Sequence, residues 1–159
     1  VPPGALTRPR TGKPDGMALV DSTGFAHVRI TVSDIARSKK FYDTVFGWPL
    51  VVDTSSMADD PGIAQSPERF FGGAVYQTPQ GTLFGLRPGG RAGFDPMHIG
   101  LDHVSFAVAG RAELAAAQSA LADAGIPHGA ISVLEEAGIA ILSFQDPDDI
   151  NIELTAPLT

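Results

Sequence analysis

Four histidines and no cysteine set the terms for any chemistry in this chain. Without cysteine there is no disulfide, no thiolate ligand and no thiol nucleophile, so a metal ion would have to be held by His, Asp or Glu. Two of the histidines open similar segments. Gly24-Phe-Ala-His27-Val-Arg-Ile-Thr-Val32 and Gly100-Leu-Asp-His103-Val-Ser-Phe-Ala-Val108 share Gly, His, Val and Val at matching places. Both alternate with the period of a strand. Val28, Ile30 and Val32 take one face, and His27, Arg29 and Thr31 the other. Val104, Phe106 and Val108 likewise oppose His103, Ser105 and Ala107. Glu153 stands in Ile150-Asn-Ile-Glu-Leu-Thr155, where parity sets it with Asn151 and Thr155 and opposite Ile150, Ile152 and Leu154. A carboxylate in so apolar a strand needs a compensating partner. Two imidazoles and one carboxylate converging on an open cleft make a three-ligand site for one divalent ion (Fe, Mn, Ni, Co or Zn), with positions left for water and substrate. A single histidine of this kind reads as an ordinary polar residue at a strand start. The symmetric pair, with Glu153 in register, reads as ligation.

These side chains are positioned by a duplicated pattern. Each His-bearing strand is followed by a helix. Ser33 or Asp34 can cap the first, and Ile35, Phe41, Tyr42, Val45 and Phe46 supply its apolar stripe, with Arg37, Lys39 and Lys40 left in water. Residues 111–124 form the second, with Leu114, Ala117 and Leu121 on one face. Gly47 and Gly125 end the two helices, each followed by one apolar residue and Pro. Three further strands follow each helix, at 49–53, 70–77 and 82–87, then at 129–134, 138–144 and 150–155, with a long loop at 54–69. Leu83-Phe-Gly85-Leu aligns with Asn151-Ile-Glu153-Leu, so Gly85 is the counterpart of Glu153. The expected fold is α+β: two tandem βαβββ modules forming a curved mixed-sheet cleft. The modules span 22–90 and 100–159, joined by a linker at 91–99 and preceded by a Pro- and Gly-rich extension at 1–21.

Composition narrows the partners. With 18 acidic and 11 basic residues the net charge is −7, which repels phosphate backbones and argues against nucleic acid, though local basic groups can still bind a small anion. No apolar run is long enough to span a membrane, and residues 1–21 lack the apolar stretch of a signal peptide. A cytoplasmic location follows by elimination.

Other residues qualify by parity. Arg29 shares the face of His27 and is a candidate for binding a substrate carboxylate, enolate or phosphonate. Tyr76 is the phenol expected to face the cleft, whereas Tyr42 belongs to the helix core. Arg87 has the parity of Gly85 but sits at a strand end. His98 lies in the linker, and His128 follows Gly-Ile-Pro as a structural or exposed residue. Trp48, Phe70, Phe71 and Phe94 are candidates for apolar walls, although most aromatics in such a fold pack the core.

Three stretches together resemble the vicinal oxygen chelate superfamily of glyoxalases, bleomycin-resistance proteins and extradiol dioxygenases. They are His27-Val-Arg-Ile-Thr-Val-Ser-Asp-Ile-Ala-Arg-Ser with Phe41-Tyr42 and Phe46-Gly47; Gly100-Leu-Asp-His103; and Phe144-Gln-Asp-Pro-Asp-Asp149-Ile-Asn-Ile-Glu153-Leu. The resemblance covers residues 24–157. It implies that His27, His103 and Glu153 occupy three of the family's metal-ligand positions, that the substrate is a small molecule with vicinal oxygens, and that the protein is a homodimer in which modules of two chains can share a site. It implies a metal-dependent lyase, isomerase or group-transfer enzyme, with a ring-cleaving dioxygenase or a non-catalytic antibiotic binder as alternatives. The chain departs from the family at three points. Asp149 replaces a turn glycine. Gly85 stands where glyoxalase I-like members carry a fourth ligand. The strand from Gly138 to Phe144 lacks the tyrosine that extradiol dioxygenases use.

Overall fold

The computed structural model describes residues 19–20, 22–65 and 72–158. Most of the expected N-terminal extension, together with Phe70 and Phe71, lies outside them. In the first half β1 (His27–Thr31) leads into α1 (Ile35–Val45), followed by β2 (Leu50–Asp53), a 3-10 turn (Ser55–Met57), α2 (Pro61–Gln65), β3 (Ala74–Gln77) and β4 (Leu83–Arg87). The second half repeats the order with β5 (Val104–Ala107), α3 (Arg111–Asp123), β6 (Ser132–Leu134), β7 (Ile139–Gln145) and β8 (Asn151–Pro157). The segment expected as a plain loop at 54–69 thus holds two short helical turns.

Local chemistry explains the helix ends. The Asp34 side chain caps α1 by accepting from the Arg37 N–H at 3.0 Å. Gly47 (φ +59) and Gly125 (φ +69) close α1 and α3 in the left-handed conformation, which lacks a Cβ penalty only for glycine. Asp149 holds φ +61 in the turn before β8, a conformation Asp tolerates better than most residues.

Each half forms a four-stranded mixed sheet, in the orders β1-β4-β3-β2 and β5-β8-β7-β6. β1 runs parallel to β4 and β5 parallel to β8. Arg29 pairs with Gly85, and Ser105 with Glu153, so the two sheets match rung for rung. β1 and β5 are edge strands of separate sheets and do not pair with each other.

One apolar cluster joins the halves. It includes Tyr42, Phe84, Leu86, Leu114, Leu142, Phe144 and Ile152, each contributing about 1.5–3 kcal/mol by leaving water. Phe106 crosses from the second half to meet Phe46, Trp48 and Phe84 with ring centroids 4.9, 5.0 and 5.4 Å away. A polar joint lies beside the cluster. Asp148 accepts from the Ser33 N–H at 2.8 Å, from the Ser33 hydroxyl and from Arg37 Nη2 at 2.7 Å. The buried Tyr42 hydroxyl donates to Asp146 Oδ2 at 3.1 Å, and Asp146 Oδ1 accepts the N–H groups of Asp148 and Ile150. Arg37 therefore ties α1 to the opposite half while remaining exposed, as expected. Lys39 is likewise engaged, at 2.6 Å from Asp53 and 2.9 Å from Ser55. Among the described residues no helix is long and apolar enough to cross a membrane.

Candidate metal centre

Parallel pairing of β5 with β8 brings His103 and Glu153 together. Ser105 lies opposite Glu153, and His103, two residues earlier on the same face, reaches the same carboxylate. His103 Nε2 and Glu153 Oε1 are 3.9 Å apart. That is too far for a hydrogen bond, yet one ion at ordinary metal–ligand lengths of about 2.0–2.2 Å can touch both atoms. Each side chain is held from behind. Asp102 Oδ2 lies 2.5 Å from His103 Nδ1. A carboxylate only accepts, so the ring hydrogen sits on Nδ1 and Nε2 is left facing Glu153. Thr155 Oγ1 donates to Glu153 Oε1 at 3.0 Å, and Ser105 Oγ donates in turn to Thr155 Oγ1 at 2.6 Å. Asn151 Nδ2 donates to the Asp102 carbonyl at 3.2 Å and pins the segment that carries the histidine. The glutamate is largely covered, at 17% exposure, and the histidine is open, at 44%.

His27 occupies the equivalent place at the head of β1. It is exposed, and its ring makes no hydrogen bond or ion pair with another described residue. Among the described residues no three His, Asp or Glu side chains form a cluster able to hold a metal. One chain thus assembles two of the three expected ligands. The cause is topological: β1 and β5 head different sheets, and neither borders the other. The donors that do meet, an imidazole nitrogen and a carboxylate oxygen, each with an outer hydrogen-bond partner, suit a divalent ion.

Arg29 is exposed on the face of His27. Its stem runs along Gly85: a Cβ added to that glycine would lie 3.2 Å from Arg29 Cγ and 3.3 Å from Cδ. Arg87 is two residues further along β4, opposite Thr31 and partly buried.

Tyr76 does not face the open side. It is fully buried, and its hydroxyl donates to Asp43 Oδ1 on α1 at 2.9 Å. The register explains this, because Tyr76 pairs with Phe84, whose parity is that of the helix-packed face, while Val75 pairs with Gly85. Burial, then the Asp43 carboxylate, pushes its phenol above the usual range. Tyr42 is core, as expected from its helical stripe. Burial raises its phenol too, reinforced by Asp146. Burial also raises the Asp146 carboxyl, against the hydrogen bonds it accepts from Ile150, Asp148 and Tyr42.

His98 is exposed in the linker, 3.5 Å from Asp95, and His128 Nδ1 contacts the Gly129 carbonyl at 2.7 Å. Trp48 stacks on Phe46 with centroids 4.3 Å apart. Both line an apolar groove of about 710 Å³ with Phe84, Phe106 and Leu154, and His103 stands on its border. Asp102, Ser105 and Thr155 brace His103 and Glu153 through contacts that strand patterning alone did not assign. The available signal was parity for Ser105 and Thr155, and adjacency to His103 for Asp102.

A family model described as Glyoxalase/Bleomycin resistance protein/Dioxygenase superfamily matches residues 24–154. No curated protein matches. Among solved structures, the chain is similar to a glyoxylase/bleomycin resistance protein/dioxygenase domain from Frankia sp. EAN1pec (TM-score 0.70, 28% identity, covering 86% of this chain and 99% of that one). It is also similar to a glyoxalase/dioxygenase from Nostoc punctiforme (TM-score 0.66, 20% identity, 93% and 100% covered). A third is a mutant of the fosfomycin resistance protein FosX from Listeria monocytogenes, complexed with Mn(II) and 1S,2S-dihydroxypropylphosphonic acid (TM-score 0.67, 13% identity, 86% and 94% covered). With the family model spanning both His-bearing segments and Glu153, the chain belongs to the Glyoxalase/Bleomycin resistance protein/Dioxygenase superfamily.

Proposed function

We propose that this protein is a divalent-metal-dependent enzyme of the lyase, isomerase or group-transfer type, acting on a small molecule with vicinal oxygens. His103 and Glu153 of one protomer hold the ion together with His27 of a second copy in a homodimer. The observation that carries this reading is the supported half-site: an open Nε2 facing a carboxylate at 3.9 Å, each braced by its own hydrogen bonds. The edge positions of β1 and β5 support sharing, because each leaves its outer side available to another sheet edge. When bound, a divalent ion supplies Lewis-acid stabilisation of negative charge developing on substrate oxygen. The chain's own residues set the rest. Asp102 fixes the His103 tautomer, Thr155 and Ser105 fix Glu153, and the open histidine side admits the substrate.

The ring-cleaving alternative is weaker because Ser143, not a phenol, pairs with Glu153 on β7, and Tyr76 is turned into the core. The groove walled by Trp48, Phe46 and Phe106 favours the binder alternative as the second reading.

The experiment is metal analysis after mixing two variants, His27→Ala and Glu153→Ala. Each alone should lose its bound ion. In a shared-site dimer the mixed species regains one intact site, so random 1:1 mixing restores about a quarter of wild-type metal. Recovery of none with heterodimers demonstrated excludes sharing. Wild-type protein that takes up no Mn(II), Ni(II) or Zn(II) overturns the enzyme reading in favour of the binder.

A further inference from the structure

The apolar groove beside His103 differs from other hollows of the molecule in carrying no fixed charge. Charged residues make up 18% of the chain. Among the described residues that line this groove there is no Lys, Arg, Asp or Glu, and His103 is the only titratable one. The hollow between α1 and the 3-10 turn, by contrast, is bordered by Lys39, Lys40, Asp43 and Asp53. The hollow between β1 and the linker is bordered by Asp95, His98 and Asp148. A charged group entering an apolar groove gives up its water and meets no ionic partner. The lining therefore selects an uncharged guest.

Aromatic rings build its wall. Phe46 stacks on Trp48 with centroids 4.3 Å apart, while Phe106 and Phe84 meet the indole at 70° and 75°, 5.0 and 6.2 Å away. These rings come from both halves of the chain, so the wall exists only in the folded protein. Phe46, Trp48 and Phe106 keep part of their surface exposed. A further ring brought to such a cluster finds offset and edge-to-face neighbours at favourable spacings. The volume of about 710 Å³ suits one small organic molecule.

The groove is continuous with the candidate metal centre. Every residue from His103 to Val108 lines it. β5 borders β8 alone, so the groove follows the free edge of that strand. His103 belongs to both places: it borders the groove, and its Nε2 faces Glu153 Oε1 at 3.9 Å. We propose that the groove holds an uncharged aromatic ring of the substrate while the substrate's vicinal oxygens reach the ion at His103 and Glu153. The substrate class is then a small vicinal-oxygen molecule with a neutral aryl body. This deepens the metal-enzyme reading and rests on it for the oxygens. Trp48 and Phe106 are the residues that contact the ring.

Trp48 is the only tryptophan in the chain, so its fluorescence reports on the groove alone. The full chain is titrated, with and without Mn(II), with three probes. 1-Phenylethane-1,2-diol carries ring and oxygens, propane-1,2-diol the oxygens alone, and 4-(1,2-dihydroxyethyl)benzoate adds a charge on the far side of the ring. Binding is read from Trp48 emission, and in loaded protein also from Mn(II) broadening of probe proton signals. The phenyl diol should change Trp48 emission saturably. It should bind about 10-fold or more tightly than propane-1,2-diol, from the apolar area that a ring hides beyond a methyl group. The benzoate should lose most of that advantage. Thr82 lines the groove in the β3–β4 turn, away from the metal ligands. Thr82→Asp should remove the ring preference with Mn(II) uptake and thermal unfolding unchanged. Phe106→Leu, which keeps an apolar contact, should weaken the phenyl diol and leave propane-1,2-diol unaffected.

Equal affinity for the phenyl diol and propane-1,2-diol, or a benzoate bound as tightly as the phenyl diol, overturns the proposal. So does Trp48 emission that ignores the phenyl diol but shifts when the protein is diluted, because the groove is then the seat of a second copy. The two readings fail separately. Mn(II) uptake with an unresponsive Trp48 leaves the metal site standing and removes this inference. A saturable Trp48 response to the phenyl diol in protein that takes up no metal does the reverse.

Discussion

Replacing Tyr42 with Phe isolates the polar joint between the two halves. The ring keeps its packing, with Phe41 and Phe84 centroids 5.2 and 5.1 Å away, so no cavity opens. What disappears is the hydroxyl that donates to Asp146 Oδ2 at 3.1 Å. Asp146 is 4% exposed and retains only its two backbone donors, both on Oδ1. A buried carboxylate losing one of three donors costs about 1.5–3 kcal/mol. At roughly 2–4 °C per kcal/mol for a domain of this size, Tm at pH 7 should fall by roughly 3–12 °C. The sign of the pH dependence is fixed. Burial raises the Asp146 carboxyl in the folded state, so its contribution is fully present below the unfolded carboxylate range and is lost as pH rises through the folded value. Removing the phenol raises that value further, because the hydrogen bond favoured the ionised form. The deficit of Tyr42→Phe should therefore be larger at neutral pH and shrink on acidification. Calorimetric scans of both proteins between pH 7 and pH 4 measure it. A Tm at pH 7 within 1 °C of wild type (on the order of 0.3 kcal/mol), or a deficit that grows on acidification, refutes the reasoning.

Two further outcomes follow from single contacts. Asp102→Asn should weaken Mn(II) binding about 10- to 100-fold, as loss of an outer carboxylate on a metal-bound histidine does, and titration followed by electron paramagnetic resonance reads it directly. Lys39 and Ser55 hold the Asp53 carboxyl down at about 2, so its stabilising contribution is present above the usual carboxylate range and lost as pH falls through about 2. Lys39→Ala should return Asp53 toward the usual range in a carbon-detected NMR titration, and an unmoved Asp53 counts against the ion pair.

Strand parity and an internal repeat were enough to predict much of this molecule. Polar-apolar alternation around His27, His103 and Glu153 set the face of each, because successive side chains on a strand point to opposite sides whatever the strand pairs with. The same logic made Gly85 the counterpart of Glu153, and the registers match it. Helix ends at Gly47 and Gly125 were equally legible, being fixed within a few residues of backbone. Tyr76 was misplaced because Ala74-Val-Tyr-Gln77 is short and puts a large apolar side chain, Val75 or Tyr76, on each face. Only its pairing with Phe84 decides which side it takes, and that pairing is made across the β3–β4 hairpin. The joint of Tyr42, Ser33 and Arg37 with Asp146 and Asp148 was equally invisible, since its partners are more than 100 positions apart. Tertiary structure likewise decided that β1 and β5 end as edges of different sheets. Local pattern fixes what a side chain faces, whereas long-range pairing fixes what it meets. His27 therefore lies on the expected face of β1, while His103 and Glu153 meet elsewhere in the chain.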